Sequence, residues 1–347
     1  MSQVHPQPDP RVTRWLYGVA VITFCLIVAG GFVRLTRSGL SIVEWNPIVG
    51  ALPPIGENAW NAEFAKYQQT PEFREVNHAM TLDGYQRIFL IEWGHRLIAR
   101  IAGLAVVLPL GWFLWRGLIP VRQAGLYVGI ALLFGLQGFL GWFMVSSGLF
   151  DRPSVSHYRL TIHLLMATLL LAIATWAALN RDARTPAAVR RPGGNTASRV
   201  ALTLLGAVTL QIAWGGLVAG LKAGHVSYTW PLMGGALLPG GMFAGAGESW
   251  WHTITASAPA VHWIHRWFAM VVVGLTVWLV VVCRGSAPAA ARRLAHVVAG
   301  LVGLQILLGV SVLWFHVPLG LAWPHQAVGL GVFTAVLMAN HRLLRDA

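Results

Sequence analysis

Four histidines stand where histidine is costly. His95, His163, His265 and His325 each fall in a long apolar stretch, towards one end of it. An ionisable side chain inside a membrane span is a functional candidate by default. Neutral imidazole is the commonest metal ligand, and two imidazoles on facing helices can ligate the iron of a flat apolar macrocycle, a haem, from both sides. Two of the four lie in each half of the chain, which predicts two such sites and makes all four metal-ligand candidates. Arg96 and Arg266 directly follow two of them and are placed to reach outward to haem carboxylates. Glu92 precedes His95 by three residues, so both share one helix face. A carboxyl in apolar surroundings suits proton transfer. The matching place before His265 holds His262. One half therefore offers a histidine pair with an acid/base group and the other a pair without one, the pattern of a reaction site beside an electron-transfer or structural haem. The competing reading makes Glu92 a plain i,i+4 ion-pair partner of Arg96. His78, His157, His225, His252, His296, His316 and His341 are read as loop or packing residues.

The elements that must position these residues follow from hydropathy. Of 347 residues, 56% are apolar and 11% charged, against about 25% charged in an ordinary soluble domain. Apolar runs of spanning length recur near 15–35, 88–115, 124–147, 158–180, 200–221, 260–283, 294–316 and 324–341. The runs are continuous rather than alternating, which excludes a β-barrel. Backbone in lipid must satisfy its own hydrogen bonds, so each run is a helix. The net charge of +13 sits in short segments between spans, a topology signal rather than a nucleic-acid surface. Arg11, Arg14, Arg116, Arg122, Arg181, Arg184, Arg190, Arg191, Arg199, Arg284, Arg292, Arg293, Arg342 and Arg345 fall on one side. That asymmetry predicts a multi-pass protein of the cell inner membrane with both termini cytoplasmic. The first span is read as retained, because no small-residue cleavage site follows it. Cys25 and Cys283 lie in separate spans and form no C-x-x-C pair.

The halves repeat. E-W-G-H-R at Glu92 answers H-W-I-H-R at His262, and G-G-F-V-R-L-T-R-S-G at Gly30 answers G-G-L-V-A-G-L-K-A-G at Gly215. Loops rich in Trp and Pro follow from Trp45 and Trp230; Gln137 with Gly141 matches Gln305 with Gly309, and His163 matches His325. The expectation is an all-α integral membrane protein of eight transmembrane helices, built as two tandem pseudo-symmetric four-helix bundles. Residues 1–180 form the first, 181–199 a cytoplasmic linker and 200–347 the second. An even number of spans per copy gives both copies one orientation, related by an axis near the membrane normal.

The sequence resembles the haem A synthase family over essentially its whole length. The resemblance rests on Gly30–Ser41, the Trp45–Pro54 loop, Trp60–Glu72, Glu92–Arg96, Gln137–Leu149, Tyr158–Leu164, His262–Arg266 and P-H-Q at Pro324. It implies an enzyme that oxidises the C8 methyl of haem O to a formyl group, giving haem A for cytochrome oxidase. It implies that His95 and His163 hold the substrate haem with Glu92 assisting, and that His265 and His325 ligate a haem b. It also implies a partner, the farnesyltransferase that makes haem O in the same membrane. The electron donor or acceptor and the oligomeric state, a homo-oligomer included, are left open. One branch of the family carries a cysteine pair in the first outer loop, which this sequence lacks.

The alternative is a non-catalytic di-haem b cytochrome that carries electrons; it has no need for Glu92 in one bundle only. A di-iron carboxylate site needs a second Glu-x-x-His, a zinc protease needs H-E-x-x-H, and neither is present. A repeat-built transporter predicts helices broken near the midplane, of which the sequence gives no sign.

Overall fold

The computed structural model describes residues 9–46, 48–182, 196–243 and 249–345. Its helices are α1 (Pro10–Leu35), α2 (Glu57–Tyr67), α3 (Pro71–Glu75), α4 (Leu82–Trp115), α5 (Ala124–Ser146) and α6 (His157–Arg181). There follow α7 (Thr196–Gly220), α8 (Trp250–Ala256), α9 (Ala258–Ser286), α10 (Ala289–Trp314) and α11 (Leu319–Arg345). Eight of them, α1, α4–α7 and α9–α11, are long and apolar enough to cross a membrane. Among the described residues the only β-type pairing is one isolated bridge, Met233 to Ala236. The protein is an all-α integral membrane protein. Most of the linker expected at 181–199, with Arg184, Arg190 and Arg191, lies outside the described residues, as does Asp346.

Helix limits follow local chemistry. Asp9 caps α1 by accepting from Arg11 N–H, with Pro10 at the first helical position. Thr81, Ser156 and Ser249 cap α4, α6 and α8 in the same way. Several spans run longer than hydropathy alone suggests; in α1, α4 and α6 the added polar first turn is capped by a side chain. The largest shift of a helix start is in α4, which begins at Leu82 instead of near 88. Its 34 residues extend about 51 Å, well beyond a hydrocarbon core of about 30 Å. The early start places Asp83 in the same helix as Glu92.

Packing is by rings of four. Helix α1 contacts α4 and α6, and α5 closes that ring against the same two; α7 contacts α9 and α11, and α10 closes the second. The rings meet where α6 lies on α7 and α11, and α1 on α11. One apolar core fills the first ring around Leu16, Val106, Ile130 and Leu171, and another the second around Leu204, Leu279, Val298 and Val336. A third, aromatic core lies outside both, where Tyr67 of α2 stacks on Tyr85 of α4 beside Phe89, Trp60 and Phe73. This cluster holds the 36–81 connection over the first ring and accounts for the extra turns of α4.

Candidate functional site

Each of the four histidines lies against a glycine of a neighbouring helix. A Cβ added at Gly30 would sit 3.4 Å from His95 Cε1, at Gly141 3.1 Å from His163, at Gly215 3.3 Å from His265 and at Gly309 3.0 Å from His325. The rings therefore pack edge-on against helix backbone of α1, α5, α7 and α10. Larger residues at the glycines would crowd them. His95 and His163 lie within electrostatic range of each other, as do His265 and His325. Because α4 starts early, His95 sits about three and a half turns into its helix, deeper than the first two turns or so expected from sequence.

Three histidines meet a glutamine one turn before the glycine they touch. Gln137 Nε2 is 3.1 Å from both His163 Nδ1 and the His163 carbonyl oxygen. Gln211 Nε2 is 3.1 Å from His265 Nδ1 and donates to the His265 carbonyl at 2.8 Å. Gln305 Nε2 is 3.4 Å from His325 Nε2. The fourth such place, before Gly30, holds Leu26, and His95 Nδ1 has no partner among the described residues. Sequence reasoning used Gln137 and Gln305 only as repeat markers and missed Gln211. The recurring Gln-x-x-x-Gly spacing, which puts both side chains on one helix face, was the available signal.

Glu92 is buried and fully engaged. Its Oε2 accepts from Ser41 N–H at 2.9 Å, Ser41 Oγ at 2.7 Å and Ile42 N–H at 3.0 Å, while Oε1 pairs with Arg96 at 2.6 Å. The i,i+4 pair weighed against an acid/base role is thus present, and three further donors come from the turn after α1. Arg96 also donates to the Ile42 carbonyl at 3.2 Å and the Glu44 carbonyl at 3.4 Å. Arg266 does the same in the second half, donating to the carbonyls of Thr229, Pro231 and Leu232 and lying over the Trp230 ring. Both arginines pin a connection instead of extending away from it. Arg266 keeps Nε and Nη1 buried and unpartnered, two donors still available to a carboxylate. His262, the counterpart of Glu92, is buried with Nδ1 unpartnered.

Outside the spans one acid is unusual. Glu72 is buried beside Tyr67, whose hydroxyl donates to it at 3.2 Å, and burial pushes its carboxyl up to about 7 against the pull of that bond and of Lys222 and Arg34. Asn77 donates to the Tyr67 hydroxyl at 2.7 Å, and Tyr85 donates to the Ser41 carbonyl at 3.3 Å, joining the aromatic cluster to the turn that holds Glu92.

The donor set has a preference. Among the described residues no three of His, Cys, Asp and Glu gather as ligands for a bare ion. Paired imidazoles against glycine-lined helix faces fit a porphyrin iron, which takes its remaining ligands in twos.

A family model described as cytochrome oxidase assembly protein matches residues 13–337. The chain is 40% identical over 347 residues to a haem A synthase of Sphingopyxis alaskensis, covering 99% of this chain and 95% of that one. It is 43% identical over 335 residues to one of Azorhizobium caulinodans, covering 95% and 93%. It is 40% identical over 341 residues to one of Brucella ovis, covering 98% and 93%. With the match running from α1 into α11 and taking in every residue of both histidine pairs, the chain belongs to the cytochrome oxidase assembly protein family of haem A synthases.

Proposed function

We propose that this chain is a haem A synthase, a membrane oxidoreductase that converts the C8 methyl of haem O to the formyl of haem A. Its first ring is the reaction site and its second holds a resident haem b. The observation that carries the reading is the doubled arrangement of a histidine pair against a glycine pair, with Glu92 in one half and His262 in the other. His95 and His163 hold the substrate haem; His265 and His325 hold haem b. Bound iron supplies the oxidising chemistry at the methyl carbon.

The protein's part is positional. Ligation through Nε2 leaves a proton on Nδ1, which needs an acceptor. Gln137 and Gln211 lie at the Nδ1 atoms of His163 and His265 and keep Oε1 buried without a partner, so a half-turn of either amide offers one, whereas Gln305 lies at Nε2 of His325. Glu92 and Arg96 fix the Ser41–Glu44 turn over the first site, and Arg266 fixes the Trp230–Leu232 turn over the second. These turns exclude bulk water from the pockets. The free Nε and Nη1 of Arg266 are the donors for a haem carboxylate. The arginine asymmetry supports an inner-membrane protein with cytoplasmic termini and both histidine pairs near the opposite face. The farnesyltransferase that supplies haem O is the natural neighbour in that membrane.

A purely electron-carrying di-haem cytochrome has no use for halves that differ at Glu92 and Leu26. Expression with a haem O source, followed by chromatography of the extracted haems, separates the two. Haem A or haem O together with haem b is expected. Haem b alone, at two equivalents per chain, would overturn the synthase reading.

A further inference from the structure

Two motifs have no part in ligation, the second glycine of each G-G pair and the glutamine of P-H-Q, and they meet at the seam between the rings. Gly30 faces His95, but Gly31, one residue on, faces α11, where a Cβ would overlap the side-chain amide of Gln326. Gln326 Nε2 donates to the Ile27 carbonyl of α1 at 3.0 Å, and Trp323 Nε1 donates to the next carbonyl, Val28, at 2.8 Å. Gln326 directly follows His325. Adjacent residues of α1 thus touch the histidine of one half and the neighbour of a histidine of the other.

The repeat builds the same joint on the other side. Gly215 faces His265, and Gly216 faces α6, where a Cβ would lie 2.9 Å from Thr161 Oγ1 and 3.3 Å from Thr161 Cα. Thr161 precedes His163 by two residues. The two joints differ in chemistry. At α6 and α7 the glycine meets the small Thr161, its hydroxyl and Cα, with Leu164 beside it, the usual small-residue crossing in membranes. At α1 and α11 a polar amide fills the notch. A leucine would fill such a notch without needing a hydrogen-bond partner, whereas an amide in an apolar seam must find one. A buried polar contact of this kind fixes register, its best attested use.

We propose that Gln326, lodged at Gly31 and bonded to Ile27, is a positioning residue that sets the His325 site against the His95 site. This rests on the two-haem reading. It requires that a change in α1, in the first half, be felt by iron ligation in the second. Displacing the amide moves the residue next to His325, and with it the imidazole.

The test uses the purified full-length chain with its bound haem b, read by electron paramagnetic resonance of the ferric haem and by haem b retained through purification. Gly31→Ala is expected to shift the low-spin signal and lower retention about tenfold, the scale of a lost outer-shell contact to a metal ligand. Adding Gln326→Ala to Gly31→Ala removes the clash but also the positioning amide, so both readouts should recover only to those of Gln326→Ala alone, which are themselves shifted from wild type. Gly18→Ala, on the same helix with nothing within 4 Å of the new methyl, should match wild type. An unshifted Gly31→Ala spectrum, or a Gln326→Ala spectrum identical to wild type, would overturn the proposal. If Gly31→Ala fails to accumulate, Gln326→Leu keeps bulk in the notch and loses only the Ile27 bond; a smaller shift is expected there, and a wild-type spectrum counts against the proposal. A wild-type chain without haem b would sink the two-haem reading instead. The joint is then judged on thermal unfolding of the same variants, where Gln326→Ala must rescue Gly31→Ala.

Discussion

In the second ring both histidines lie beside a glutamine amide, and Arg266 fastens the connection above them together with Trp263, which donates to the Leu237 carbonyl, and Ser257, which donates to the Met242 carbonyl. In the first ring only His163 has its glutamine, His95 stands opposite an α1 that offers Leu26 in that place, and Glu92 joins Arg96 in fastening a much more elaborate cap. A site that keeps its haem benefits from two held imidazoles. A site that takes in a substrate haem and releases a product benefits from one ligand held less firmly and from a cap anchored hard elsewhere. The difference supports the proposal that the second ring keeps its haem and the first turns one over.

The comparison breaks most visibly at Glu92. Glu92→Ala strands the Arg96 guanidinium and three loop donors, and removing one partner of a buried pair costs about 3–5 kcal/mol. Haem A should vanish from extracts while haem b remains. Glu92→Gln separates anchoring from proton transfer, since its amide oxygen still accepts from Ser41 and Ile42. Partial recovery of product marks an anchor, and none marks an acid/base group.

The cap has its own signature in pH. Glu72 has a folded value of about 7, above the ordinary 4.5, so the folded state favours its neutral form. The stability it contributes is whole below about 4.5 and is lost as pH rises through about 7, on the order of 3 kcal/mol in all. Tyr67, Arg34, Lys222 and Glu92 are the groups facing it. Thermal unfolding in detergent should weaken over that window, and Glu72→Gln should flatten the profile. An equally steep profile in the variant would place the titration elsewhere.

Gln211→Leu makes the second ring resemble the first and is expected to weaken haem b binding about 10–100-fold, measured by haem transfer to an apo-acceptor protein. Unchanged retention would remove the glutamines from the account. The smallest effect expected is that of Tyr85→Phe, which deletes one bond to the Ser41 carbonyl and should cost about 1 kcal/mol. Its unfolding midpoint should fall without loss of haem b.

Much of this was legible in residue order. Eight spans follow from hydropathy because lipid leaves helices no competitor, and the four histidines stand out because they are costly there. The limits of α4 were not legible, since its first turns are held by aromatic packing from α2 and α3, short helices that no periodic signal announces. The engagement of Glu92 was half legible. Arg96 lies four residues away on the same helix, but Ser41 and Ile42 are some fifty residues distant and act through backbone N–H groups that carry no mark in the sequence. Arg96 and Arg266 were expected to point outward; they bind carbonyls of their own connections, because an irregular turn near the membrane must satisfy its backbone somewhere.

The most direct test of the central claim is the haem content of four single variants, His95→Ala, His163→Ala, His265→Ala and His325→Ala, extracted after expression with a haem O source. The account predicts that the last two lose haem b while keeping the capacity to bind haem O, and that the first two keep haem b and yield no haem A. Loss of both haems together in every variant, or of haem b from His95→Ala and His163→Ala, would contradict two separate histidine couples.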